Sequence, residues 1–201
     1  MADDAPLADV RGERPVLTTD VVYRGLVWDL VRETVELGPL STVVREYVRH
    51  PGAVAVIAMD EADRVLLLRQ YRHPVGAELW EPPAGLLDVP GEAPLTAAQR
   101  ELAEEADLTA TDWWLLAEYF SSPGGSDESL RVYLARGIGE VPASERHHRQ
   151  DEEADMEPVW VPLDDAVTAV LAGRLGNPST AVGVLAAAAA RARGWSDLRP
   201  A

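Results

Sequence analysis

Gly85-Leu-Leu-Asp-Val-Pro-Gly-Glu92, followed by Arg100-Glu-Leu-Ala-Glu-Glu105, is the stretch on which the reading of this chain turns. Its first half is loop material: Pro82, Pro83, Gly85, Pro90 and Gly91 mark residues 79–93 as irregular. Its second half is helical. Thr96-Ala-Ala-Gln99 has the pattern of a capping box, and the helix it opens is predicted to run to about Ala106. Asp107 then stands where a helix stop favours glycine, although Asp also enters the left-handed region. On this helix Glu101, Glu104 and Glu105 share one face, because positions three and four apart are neighbours. Three like charges within one turn repel, so the face costs stability unless a cation sits on it. Hard divalent cations want oxygen ligands, and magnesium takes a few carboxylates together with water and substrate phosphates. A glycine-rich turn before the helix can bring a backbone carbonyl to the same ion, and Arg100 is placed to pair with Glu92. Taken alone, three glutamates on a helix more often form a solvated surface.

Outward from this stretch, strands dominate. Val21–Leu30, Val31–Leu37 and Thr42–Val48 read as a small antiparallel unit, after a loose acidic arm at residues 1–16. Ala53–Met59 reads as a buried strand, with Arg64–Arg69 as its hairpin partner across a turn. Trp113–Phe120 and Ser129–Arg136 are predicted strands flanking Ser121-Ser-Pro-Gly-Gly-Ser-Asp-Glu128. Pro158–Pro162 is a short strand, and Asp164–Ala172 and Ser179–Arg193 are helices. Strands and helices mix without a βαβ rhythm, so the pattern alone predicts an α/β or α+β sandwich. The domain reading is a loose arm (1–16), an N-terminal β extension (17–50) and one main domain (51–201).

Composition narrows the chemistry. The chain carries 34 acids against 18 bases, a net charge of −16, which argues against non-specific binding to nucleic acid or to an anionic membrane. Every base is arginine, so a phosphate-loop lysine and a Schiff-base lysine are excluded. Cysteine is absent, which removes thiol nucleophiles and thiolate metal sites. His147-His148 lacks the spacing of a helical metal site. The N-terminal residues lack the pattern of a secretory signal and no apolar run reaches membrane-spanning length, so the expectation is a soluble, cytoplasmic protein.

The quoted stretch resembles the Nudix signature: Gly, five residues, Glu, seven residues, Arg-Glu, an aliphatic residue, any residue, Glu-Glu, any residue, Gly, an aliphatic residue. The chain departs from it twice, with six residues between Gly85 and Glu92 and with Asp107 in place of the last Gly. Neither departure touches a carboxylate. A second match, Pro123 about fifteen residues beyond the box, is similar to the ADP-ribose pyrophosphatase subgroup. Gln70-Tyr-Arg-His73, Leu79–Gly85 and Asp127–Tyr133 look like the same subgroup.

The resemblance implies an α/β/α Nudix sandwich with an N-terminal antiparallel extension, and hydrolysis of ADP-ribose to AMP and ribose 5-phosphate. It implies magnesium or manganese, two or more ions, held by Glu101 and Glu105 with help from Glu104 and the carbonyl of Ala84. Glu153 or Glu152 would orient the attacking water. Arg45, Arg72, Pro123, Ser126 and Glu128 would meet the substrate, Glu46 and Glu81 would bind ribose hydroxyls or pair with arginine, and Trp28 would stack on adenine or lie in the core. The subgroup's N-terminal strands reach across a homodimer, so an arm serving the neighbouring active site is expected. The alternatives are another nucleoside diphosphate derivative, such as a sugar nucleotide or dinucleoside polyphosphate, or a Nudix module that binds ADP-ribose without cleaving it.

Overall fold

A computed structural model describes residues 7–147 and 156–201. The β-branched N-terminal third forms a three-stranded antiparallel sheet of β1 (Val16–Arg24), β2 (Asp29–Gly38) and β3 (Ser41–Arg49), in that order. The strand predicted over Val21–Leu30 is broken in two. The Gly25 N–H donates to the Trp28 carbonyl at 3.0 Å, and a Cβ at Gly25 would stand 2.3 Å from that oxygen, so only glycine closes the turn.

β4 (Ala53–Ala58) is buried along its whole length. It lies antiparallel to β7 (Ala84–Leu86) and parallel to β9 (Ser129–Glu140). β8 (Leu108–Phe120) and the short β11 (Arg199–Pro200) complete a five-stranded sheet in the order β11-β8-β9-β4-β7. β5 (Arg64–Arg72), β6 (Ala77–Glu81) and β10 (Val159–Pro162) make a separate sheet, ordered β10-β5-β6. The hairpin predicted between β4 and β5 is therefore corrected to a single bridge, Met59 to Val65. Both long edges of β4 are taken by β7 and β9, and the Asp60 carboxylate, accepting from the Ala62 and Arg64 amides at 3.0 and 2.9 Å, turns the chain into the second sheet. Residues 79–93 are likewise only partly loop, since β6 ends and β7 lies within them.

Helix α1 (Pro94–Ala106) opens two residues before the predicted capping box. Proline at the first helical position is pre-set for the turn, and Thr96 sits inside the helix. The helix ends as the sequence suggests, with Asp107 left-handed at φ 55° and its N–H bonded to the Ala103 carbonyl at 3.1 Å.

The alternation of β4 builds two cores. Val54, Val56 and Ala58 meet Ala97, Ala98, Leu102 and Ala106 of α1. Ala55, Ile57 and Met59 meet Val184 and Ala187 of α3 (Pro178–Ala192), together with Leu163 and Ala166 of α2 (Leu163–Leu171). Each fully buried aliphatic side chain contributes about 1.5–3 kcal/mol. Gly183 lets α3 approach closely, because a Cβ there would lie 2.6 Å from Ile57 Cδ1. With α1 on one face and α3 on the other, the molecule is an α/β/α sandwich carrying the N-terminal sheet. No helix among the described residues is long and apolar enough to cross a membrane.

Candidate active site

The glutamates of α1 are held from two sides. Arg100 donates to both oxygens of Glu92, Nε to Oε1 at 3.1 Å and Nη2 to Oε2 at 3.0 Å, which closes the loop onto the helix. Its Nη1 reaches Glu101 Oε1 at 2.6 Å and Glu104 Oε2 at 3.0 Å. The hydrogen bond to Glu92, opposed by burial and reinforced by Glu101 and Glu104, raises the Arg100 pKa above its ordinary value. Arg100 in turn holds the Glu92 carboxyl below the usual carboxylate range. Glu105 is buried, and its Oε2 accepts from the Ala84 N–H at 2.8 Å. Gly85 completes the arrangement: a Cβ there would stand 2.0 Å from Glu101 Cδ and Oε1, so the loop and the carboxylate fit only because that atom is absent.

This donor set suits a hard divalent cation, being all oxygen and gathered on one helical turn. Among the described residues no three such groups converge on one point. Glu101 and Glu104 face Arg100, and Glu105 faces the Ala84 amide. The carboxylates fit the ion in kind, with Arg100 bonded to two of them and offsetting part of their charge.

Beside the helix lies a cleft of about 470 Å³, whose lining includes Ala84, Gly85, Arg72, Glu81, Trp28 and Glu128. Arg72 grips the buried Glu81 with two bonds, Nε to Oε1 at 2.9 Å and Nη2 to Oε2 at 2.6 Å. The cleft's far wall is the start of α3, where Asn177 Oδ1 accepts from the Thr180 N–H at 2.9 Å and Thr180 Oγ1 donates to the Trp80 carbonyl at 2.7 Å. Ser179 Oγ and the Tyr119 hydroxyl are 2.9 Å apart, and burial pushes the Tyr119 pKa up.

The other substrate candidates sit elsewhere. Arg45, Glu46, Pro123 and Ser126 line a second cleft of about 560 Å³, between the N-terminal sheet and the 121–128 loop. There Arg32 binds Glu46 Oε1, with Nε at 2.7 Å, and Arg45 Nη1 donates to the Val44 carbonyl at 3.0 Å. One copy of the chain thus lines one cleft with Trp28, Arg72 and Glu128 and another with Arg45, Glu46, Pro123 and Ser126, the two linked where the Glu128 N–H donates to Ser126 Oγ at 3.1 Å. Glu152 and Glu153 lie outside the described residues. His50, Asn177 and Ser179 line the first cleft without any signal in the sequence, and Ser121, which joins them, is visible there only as part of the loop that carries Pro123.

The NUDIX domain family profile matches residues 49–180. The chain belongs to the Nudix family. Among Nudix relatives it is 44% identical over 184 residues to the ADP-ribose pyrophosphatase of Mycobacterium tuberculosis, covering 92% of this chain and 87% of that one. It is 34% identical over 172 residues to the ADP-ribose pyrophosphatase of Bacillus subtilis, covering 86% and 91%. The crystal structure of an ADP compounds hydrolase superposes with a TM-score of 0.69 at 20% identity, over 93% of this chain and 99% of that one, and shows the shared fold. Helix α1 and Glu92 both fall within the matched residues.

Proposed function

We propose that this Nudix chain is a hydrolase of ADP-ribose, acting with magnesium or manganese as a homodimer in the cytoplasm. The observation that supports the reading is the close approach of Gly85, which lines the cleft, to Glu101, with Glu105 held by the amide of Ala84, another lining residue. The names of the Mycobacterium tuberculosis and Bacillus subtilis relatives support the substrate.

In this reading Glu101 and Glu105 hold the metal, Glu104 assists, and the Ala84 carbonyl joins them. Two or more ions, when bound, neutralise the diphosphate and acidify a water. Water adds its oxygen to one phosphorus, the bond from that phosphorus to the bridging oxygen breaks, and AMP and ribose 5-phosphate leave. Glu153, or its neighbour Glu152, orients that water and takes its proton. Arg72 meets the diphosphate as a planar fork, with Glu81 fixing its orientation. Trp28 stacks on adenine and Glu128 accepts from the sugar. Arg45, Glu46, Pro123 and Ser126 serve the same substrate from the neighbouring subunit, which accounts for their separate cleft in one copy.

Product analysis tests this directly. Purified protein with ADP-ribose and magnesium is expected to yield AMP and ribose 5-phosphate, with no reaction in EDTA. Glu105→Gln should lower the rate by at least about 100-fold, as for changes that disturb metal ligation, while retaining its melting temperature within a few degrees. Binding without turnover in either metal would show a sensor. Faster turnover of a nucleotide sugar or dinucleoside polyphosphate would move the substrate.

A further inference from the structure

The inner end of the cleft holds a polar group that the diphosphate chemistry leaves unused. β3 runs into the 121–128 loop: the Val48 N–H donates to the Gly125 carbonyl at 2.9 Å, and the Asp127 N–H to the Val48 carbonyl at 3.1 Å. The next link is the His50 N–H, donating to Asp127 Oδ1 at 2.7 Å. These three bonds set His50 against Glu128. The imidazole is well buried, at 12% exposure, and Gly52, left-handed at φ 90°, donates its N–H to His50 Nδ1 at 3.1 Å. A nitrogen that accepts carries no hydrogen, so in the neutral ring the proton sits on Nε2. Nε2 faces Glu128 Oε1 at 3.7 Å, beyond a direct hydrogen bond. Ser121 donates its hydroxyl to the other carboxylate oxygen and fixes the Glu128 side chain.

A donor and a charged acceptor at this separation leave no space on the line between them, but one group on the cleft side bridges both, accepting from Nε2–H and donating to Oε1. An alcohol does both; a phosphate oxygen accepts only, and Glu128 repels it. We infer that His50, Glu128 and Ser121 form a subsite for one sugar hydroxyl of a nucleoside diphosphate sugar. His50 supplies specificity for that hydroxyl, and Ser121 is a positioning residue acting through Glu128. The inference rests on the reading of this cleft as the substrate site. The hydroxyl belongs to either of the two sugars of such a compound.

Calorimetric binding in EDTA, where turnover stops, separates the possibilities. The ligands are ADP-ribose, its analogue lacking the 2-hydroxyl of the adenosine sugar, and its analogue lacking that of the terminal sugar. Wild-type chain, His50→Ala and His50→Gln are compared, the glutamine keeping a donor near the Nε2 position. His50→Ala is expected to weaken ADP-ribose about tenfold, the usual effect of a lost hydrogen bond with a charged partner nearby. His50→Gln should recover most of that loss. One deoxy analogue should bind wild type about tenfold more weakly and lose nothing further in His50→Ala, and that arm names the sugar. Equal losses for all three ligands in His50→Ala, or none, with wild type binding ADP-ribose, would overturn this subsite alone. Wild type that binds none of them in EDTA and turns none of them over in magnesium would overturn the substrate reading and the subsite with it.

Discussion

At Gly85 the geometry leaves no room for a methyl group, with Glu101 Cδ 2.0 Å from where a Cβ would lie. Gly85→Ala must push the carboxylate or the loop aside, at a cost of about 1–3 kcal/mol for an overpacked site. The expected outcome is a melting temperature lowered by several degrees and activity lost well beyond it, read by a thermal melt and a product assay on the same sample. Glu92 offers a second test, in pH. Its folded pKa lies below the ordinary 4.5, chiefly through the hydrogen bond from Arg100, so the folded state favours the ionised form. The stabilisation is therefore complete above pH 4.5 and lost as pH falls through the lower, folded value. Denaturant titrations of wild type and Glu92→Gln should differ at pH 7 and converge as the pH drops below that of a normal carboxyl. The glutamates of α1 are legible in the sequence because helix periodicity places them on one face, whereas Gly85 and Glu92, in the loop before the helix, are found through the spacing of the signature. That Glu101 and Glu104 are shared by a single guanidinium nitrogen is not legible, since it depends on side-chain angles.

Among the elements, α3 ties the cleft's wall to its floor. Asn177 caps the helix through the Thr180 amide, and Thr180 reaches back to Trp80, next to the Glu81 that grips Arg72. Asn177→Ala should cost about 1 kcal/mol, the worth of such a cap. It should also raise KM more than it lowers kcat, as steady-state kinetics would show, because the wall shifts while the glutamates of α1 stay. The helices themselves are readable from periodicity and caps: α2 and α3 fall within a residue or two of their predicted ends. Strand partners are not. β4 and β5 follow one another like a hairpin, and only the fact that β7 and β9, from distant parts of the chain, occupy both edges of β4 decides against it. The break at Gly25 escapes for a similar reason, as the apolar alternation of Val21–Leu30 runs straight through a turn.

Across the whole molecule, the N-terminal sheet leaves much apolar surface uncovered, with Tyr23 60% and Val44 55% exposed and Leu26 and Leu40 fully so. In the proposed dimer a second copy covers this surface. Light scattering should then give twice the 21.8 kDa chain mass, and Tyr23→Glu with Leu26→Glu should give the monomer. A monomeric wild type would remove the shared active site and leave the second cleft unexplained. The sheet's strands can be read from sequence, whereas the separation of Arg45 from Arg72 into different clefts cannot, because a single chain's pattern carries no information about symmetry.

The double burial of β4 has a consequence for the history of such a chain. Its two faces feed separate clusters, one beneath the glutamate helix and one beneath the wall of the cleft. Replacements on opposite sides of one strand share few partners, so their effects are close to additive. A lineage can drift in the residues that shape what is bound while the residues that support the reaction stand still. One strand's thickness of backbone is enough to let preference wander and chemistry persist.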